Sequence, residues 1–129
     1  MKISIITVTF NSASFINHCL DSIKKQTYDD IEHIVVDGAS TDSTLSILKS
    51  KRSQLVALIS EPDKGIYDAM NKGINLATGD IIGFLNSDDI YANNHILSNV
   101  AKVFEDDPLL DSCYADLLYT NKNDTNKII

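Results

Sequence analysis

Two cysteines and three histidines, with no CxxC or HxxxH spacing, leave this 129-residue sequence without a zinc framework or a disulfide scaffold. Cys19 and Cys113 are expected to sit reduced, in the apolar surroundings of a cytoplasmic protein. Basic residues are few: 11 Lys and Arg stand against 18 Asp and Glu, a net charge of −7. Neither the count nor the distribution offers the basic patch that nucleic acid or an anionic membrane requires. No apolar run approaches the roughly 20 residues of a transmembrane helix. Met1–Phe10 has one lysine and a short apolar stretch, but threonines interrupt it and no small-residue cleavage site follows, so it reads as a strand and not a signal peptide. Glycine-rich phosphate loops and dinucleotide fingerprints are also missing. What is present, 43% hydrophobic and 22% charged, is the composition of one globular domain with a real core.

Along the chain, strand and helix patterns alternate. Ile3 to Phe10 is rich in β-branched residues and reads as a buried strand. Asn11, Ser12 or Ser14 offers an N-cap for a helix with Ile16, Cys19, Leu20 and Ile23 at helical spacing. Ile34 to Asp37 is a second strand, followed by a tight turn in which Ser40 is the expected cap and Asp42 the first-turn acid of a helix carrying Leu45 and Leu48. Leu55 to Ile59 is a third strand. Asn93 or Asn94 caps a later helix with Ile96, Leu97, Val100, Val103 and Phe104 inward, stopped before Pro108, and Ser112 to Tyr119 is expected as a fifth strand. His18, His33 and His95 read as structural or exposed.

The stretch from Glu61 to Asp89 organises the rest. Its helix places Ile66, Ala69, Met70, Gly73, Ile74 and Ala77 on one face, with Gly73 allowing close approach to a sheet and Gly79 expected as a left-handed stop. Ile81 to Leu85 is short and apolar, as a strand buried on both faces of a parallel sheet should be, and it ends on Asn86-Ser87-Asp88-Asp89. Repeated strand-helix-strand units predict an α/β fold, a mainly parallel sheet with helices on both faces. Ligands bind such sheets beyond the carboxyl ends of the strands. Thr9 to Asn11, Asp37, Glu61 to Lys64 and Asn86 to Asp89 should therefore share one edge. Ile128-Ile129, after a polar turn, reads as the opening of a further strand, so residues 1–129 are expected to be a single but truncated domain.

Acidic side chains gathered at one edge call for a cation, since two carboxylates about 4 Å apart repel by roughly 4 kcal/mol at an effective dielectric near 20. A divalent ion can bridge carboxylate and phosphate oxygens, and oxygen-only ligands favour Mg²⁺ or Mn²⁺. Asp88 and Asp89 are the metal candidates.

The segments SIITVTFN (4–11), IVVDGASTD (34–42) and SEPDKGIYDAMNKGINLATGDIIGFLNSDD (60–89) occur in the order and spacing of a known family. The sequence resembles the nucleotide-binding half of a family 2 glycosyltransferase with the Rossmann-like GT-A fold. That resemblance implies transfer of a sugar from a nucleotide-diphosphate sugar, usually UDP-linked, to an acceptor hydroxyl, with a divalent ion on the diphosphate. It implies further that Thr9, Phe10 and Asn11 border the base, that Asp37 bonds to it, and that Glu61 and Asp63 lie beside base and ribose. The usual Asp-x-Asp-Asp strand-end motif stands here as Asn86-Ser87-Asp88-Asp89, with Asp88 in the metal place, Asp89 beside it, and Asn86 suited to a ribose hydroxyl.

Departures from the family pattern are specific. Gly38 occupies a place often held by a second Asp, and Met70 one often held by an arginine, for which Lys64 is the available substitute. The family's general base lies in a later segment, and no motif residue here takes that role; Asp116 reads as structural. The implied partners are a UDP-sugar donor and a saccharide or lipid-linked saccharide acceptor in surface polysaccharide synthesis, at a cytoplasmic location reaching the inner membrane face through partners. Self-association would follow if a missing half leaves apolar surface uncovered. The competing reading is a non-catalytic nucleotide-binding or interaction module of the same fold. A nucleotidyltransferase is disfavoured, because TVTFNSASF lacks the glycine and basic residues of a triphosphate loop.

Overall fold

The computed structural model describes all 129 residues. Four parallel strands, β1 (Ile3–Thr9), β2 (Ile31–Asp37), β3 (Ala57–Ser60) and β4 (Ile81–Phe84), form a sheet in the order β3-β2-β1-β4. Between and after them lie helices α1 (Ile16–Lys24), α2 (Thr44–Ser50), α3 (Ile66–Leu76) and α4 (Ile96–Asp106). The chain steps outward from β1 to β3 and then returns to the other side of β1. Right-handed crossovers therefore send α1 and α2 to one face and α3 to the other. The core divides accordingly. Ile3, Ile5 and Val35 pack with Ile16, Cys19, Leu20, Ile23, Leu48 and Leu97, while Ile6, Ile34 and Val36 pack with Ala69.

Two glycines of α3 set its place. Gly65, before the first turn, has φ +115°, a conformation L side chains rarely adopt. At Gly73 a Cβ would stand 2.5 Å from Ile6 Cγ2, so the helix lies against β1 as closely as the sequence predicts. Gly79 serves differently from the expected left-handed stop. α3 ends at Leu76 with Ala77 extended, and a Cβ on Gly79 would meet Ser4 Oγ at 2.5 Å and the Lys2 carbonyl at 2.8 Å. Its need is for space.

Other expectations are corrected by the packing. Ser112–Tyr119 forms no strand: the segment is exposed throughout, and strand-forming residues without a neighbouring edge or a face to bury gain nothing from extension. Ile128 closes a strand instead of opening one, since β6 (Asp124–Ile128) pairs back antiparallel on β5 (Thr120–Asn121). Cys113 is exposed, whereas burial pushes the Cys19 thiol up to about 12 and keeps it unreactive. β4 is an edge strand here, with Ile82 and Phe84 exposed, because α3 lies over β1 and β2. Ile66, Ile74 and Val103 are likewise exposed. The residues offered as caps of α1 are spent elsewhere: none makes a side-chain cap, and Asp42, not Ser40, accepts the Thr44 amide at 2.9 Å.

β2 begins at Ile31, three residues before the apolar run, because Glu32 and His33 are buried with partners. Glu32 accepts Ser4 Oγ at 2.5 Å and the Thr78 amide at 2.6 Å. Burial raises its carboxyl, but these bonds outweigh that and hold it below its usual value. His33 Nε2 meets Thr7 Oγ1 at 2.8 Å, and burial depresses the imidazole from 6.5 to about 4. The unfolded chain thus takes up the His33 proton at higher pH than the folded one, so stability falls as pH drops from 6.5 towards 4. Urea unfolding should show a loss of about 2 kcal/mol between pH 7 and 5, and His33→Gln should flatten that window. An unchanged slope in the variant would assign the loss to carboxylates.

Candidate functional site

Register decides which side chains meet at the carboxyl edge. Thr9 is level with Asp37, and Asp37 with Ser60. Asp37 is fully buried and accepts four hydrogen bonds: from Thr9 Oγ1 at 2.7 Å and Ser40 Oγ at 2.5 Å on one oxygen, and from the Ser40 amide at 3.0 Å and Ser60 Oγ at 2.8 Å on the other. Burial alone would raise the carboxyl. The hydroxyl and amide of Ser40, with Thr9 and Ser60, more than offset it and hold the pKa below its ordinary value.

The loop after β1 is fastened to the loop after β2. Asn11 takes φ +47° and Ala39 φ +60°, strained values for residues with side chains, at neighbouring loop positions. The Asn11 amide donates to Ser40 Oγ at 2.9 Å, and its Oδ1 accepts the Thr41 amide at 2.9 Å. Phe10 presents its ring to solvent at 64% exposure beside these groups. Ser12, almost fully buried, takes Thr44 Oγ1 through its amide at 2.8 Å and meets Ser87 Oγ at 2.9 Å, which joins the base of this loop to the loop after β4. The bond spans β1 and β4, where the strand order reverses and open α/β sheets bind ligands.

The loop after β3 is braced by α3. Lys72 Nζ lies 3.0 Å from Glu61 and 3.7 Å from Asp68, and donates to the Pro62 carbonyl at 3.2 Å. The hydrogen bond to Glu61 is the main cause of the raised Lys72 pKa. Asp68 also accepts the Lys64 amide at 2.9 Å. Glu61 is thus turned back towards its own helix, and the Lys64 side chain stays exposed. Asp63 is different: its Oδ1 accepts the Gly65 amide at 3.0 Å, and its Oδ2 lies over Gly38.

After β4, the Asp89 amide donates to the Asn86 carbonyl at 3.0 Å, bringing Asn86, Asp88 and Asp89 into one turn. Burial first, and then the Asp88 charge, pushes the Asp89 carboxyl above its usual value against a hydrogen bond from Asn86. Two carboxylates whose charges repel fit a hard divalent cation. No group of three or more Asp, Glu, His or Cys residues is gathered to hold one. The chain therefore offers one or two carboxylates, the number by which Mg²⁺ is commonly held when substrate phosphates and water complete its shell.

Of the sequence-predicted residues, Glu61, Asp63 and Lys64 stand apart in the loop braced by α3, Phe10 is exposed beside Asn11, and the remaining six fall into two sets. Thr9, Asn11 and Asp37 are joined through Ser40 and Thr9, while Asn86, Asp88 and Asp89 form the other end, linked to the first through Ser12 and Ser87. Ser12 and Ser40, which the sequence offers only as helix caps, fasten the loops instead, and Ser60 and Lys72 carry no sequence signal of their own; strand register is the signal that reveals Ser60, since it ends β3 level with Asp37.

A family model described as Glycosyl transferase family 2 matches residues 4–127. The chain belongs to this family. Among curated relatives of this glycosyl transferase family 2 chain, a PGL/p-HBAD biosynthesis glycosyltransferase of Mycobacterium tuberculosis is 38% identical over 123 residues, 93% of this chain and 48% of its own length. Among solved structures, S. aureus TarS 1-349 in complex with UDP-GlcNAc has a TM-score of 0.76 and 32% identity, covering 82% of this chain and 32% of that one. Mannosyltransferase PcManGT from Pyrobaculum calidifontis, in complex with GDP-Man and Mn2+, has a TM-score of 0.75 and 31% identity, covering 82% and 33%. The parallel sheet and its helices are those of the GT-A fold, and the chain spans about half the length of its curated relative.

Asp37→Asn replaces two saturated acceptors by one acceptor and an amide that faces donors. Denaturant unfolding should show a loss of about 2–4 kcal/mol. A change below about 0.5 kcal/mol would mean that the four bonds do not hold the loops.

Proposed function

We propose that this chain binds the nucleotide-diphosphate-sugar donor of a glycosyl transfer, with the nucleoside over the ends of β1, β2 and β3 and the diphosphate over the end of β4. The observation that carries this reading is the division of the edge into two separated ends. β3 and β4 lie three strand steps apart, on the order of 14 Å at about 4.8 Å per step, a span suited to a nucleoside diphosphate. At the first end stand the exposed Phe10 ring, Asn11, Asp63 and the buried Thr9–Asp37 pair, and at the other Asn86, Asp88 and Asp89. Asp37, with all its acceptor positions engaged, serves the base by fixing Thr9, Ser40 and Ser60 around it. Glu61 and Lys64 stand in the loop after β3 at the same end, Glu61 held by Lys72.

Asp88 and Asp89 would hold Mg²⁺ or Mn²⁺, and the ion would supply positive charge to the leaving diphosphate. Asn86 suits a ribose hydroxyl. We assign no general base within this chain, and we place the acceptor site, for a saccharide or lipid-linked saccharide of a surface polysaccharide, in the portion of the relatives that this chain does not span. UDP is the nucleotide of choice on the precedent of the TarS complex, with GDP, as in the mannosyltransferase, the competitor. No helix is long and apolar enough to cross a membrane, and the donor's supply suits a cytoplasmic location. The uncovered Ile82 and Phe84 support self-association of the isolated chain, which light scattering showing only monomer would reject.

Calorimetric titration with UDP and GDP, with and without Mn²⁺, should show metal-dependent binding that Asp88→Ala abolishes. No binding of either nucleotide would overturn the reading. In the absence of metal, Asp88→Asn should raise stability at neutral pH on the order of 0.5 kcal/mol, since it removes a like charge at an exposed pair while also losing the Mn²⁺ response.

A further inference from the structure

The turn that carries the acidic pair hangs on one side-chain hydrogen bond. Residues 86–90 follow the end of β4, and among them the Asp89 amide bonds back to the Asn86 carbonyl. Their single hydrogen bond to the rest of the chain joins Ser87 Oγ to Ser12 Oγ at 2.9 Å. Ser12 is fixed from several sides. It is 6% exposed, its amide donates to Thr44 Oγ1 at the start of α2 at 2.8 Å, and its carbonyl accepts the Phe15 and Ile16 amides at the start of α1, both at 3.0 Å. The acidic turn therefore takes its position from the starts of two helices through one pair of hydroxyls.

We infer that Ser87 and Ser12 are positioning residues for the cation, fixing the turn that presents Asp88 and Asp89 so that a divalent ion does not have to order it on binding. The inference rests on the donor-binding reading above and concerns its cation end alone. A turn without this tether must lose its conformational freedom at the moment of binding, and that cost is subtracted from the affinity. The acids cannot supply the order themselves, because their mutual repulsion favours separation until a cation is present. Ser12 Oγ also lies 3.3 Å from the Phe10 amide and the Phe10 carbonyl. Removing the Ser87 hydroxyl therefore deletes the tether while leaving Ser12 with partners in its own loop.

The test compares UDP in the presence of Mn²⁺, which engages both ends of the edge, with uridine, which reaches only the nucleoside end. Ser87→Ala should weaken UDP binding in Mn²⁺ by about threefold to tenfold and leave uridine affinity within about twofold. Electron paramagnetic resonance of Mn²⁺ in the presence of UDP should show its affinity for the chain falling by the same factor. Ser12→Ala should lose at least as much, and the double variant no more than the worse single one, because both substitutions delete one bond. Equal losses for uridine and UDP would assign the serines to general loop stability and overturn the inference. Unchanged UDP affinity in Ser87→Ala, or additive losses in the double variant, would overturn it as well, and each of these outcomes leaves the donor reading intact. An unaltered chain that binds no nucleotide overturns both.

Discussion

A carboxylate with no access to water holds the carboxyl edge of this sheet together. Asp37 ends β2, and its two oxygens take up the side chains ending β1 and β3 and both donors of Ser40. An unpaired charge in that position would be prohibitively costly, whereas one accepting four hydrogen bonds is stabilised in its ionised form. The strain at Asn11 and Ala39 is tolerable because the same network holds the two residues on either side of it: Ser40 bonds to Asp37 and also receives the Asn11 amide. Loop geometry here follows from strand register. A slip of one residue between β1 and β2 would part Thr9 from Asp37 and release the loops with them.

A second fastening crosses the sheet where its strand order reverses. Ser12 and Ser87 are distant in sequence and adjacent in space, and their bond fixes the loop after β1 against the turn carrying Asp88 and Asp89. Position at the Thr9–Asp37 end and position at the acidic end are therefore coupled through the chain itself. α3 completes the frame from the opposite face, where Gly73 lets it rest on Ile6 and Lys72 holds Glu61.

Much of this fold could be read from local pattern. The β-branched run of β1 and the helical spacing of Ile16, Cys19, Leu20 and Ile23 found their places because burial and periodicity agree there, whereas the apolar run from Ile81 formed its strand with Ile82 and Phe84 left exposed. Pattern failed where a polar residue is buried with a partner remote in sequence. Glu32 and His33 belong to β2, yet only Ser4, Thr78 and Thr7 make their burial affordable. It failed in the opposite sense at Ser112–Tyr119, where strand-like composition finds no edge to pair with. The site shows the same division. Acids at strand ends were visible as candidates, but nothing local distinguishes the saturated Asp37 from the open Asp63, since the difference lies in Ser40, Ser60 and the absent side chain of Gly38.

That difference orders the acids of the edge by what they can still do. Asp37 and Asp42 have their oxygens occupied by hydroxyls and amides of the chain, and so contribute to loop geometry. Asp63 keeps one oxygen without a partner, and Asp88 and Asp89 face one another's charge. A group whose hydrogen-bonding capacity is already filled gains little from a ligand, while one held open or under repulsion gains from whatever satisfies it. The fold therefore uses its satisfied carboxylates as scaffold and presents its unsatisfied ones, a hydrogen-bond acceptor near β2 and β3 and a charged pair after β4, at separated points along one edge. A ligand that relieves both must carry neutral donors at one end and bring or share a cation at the other.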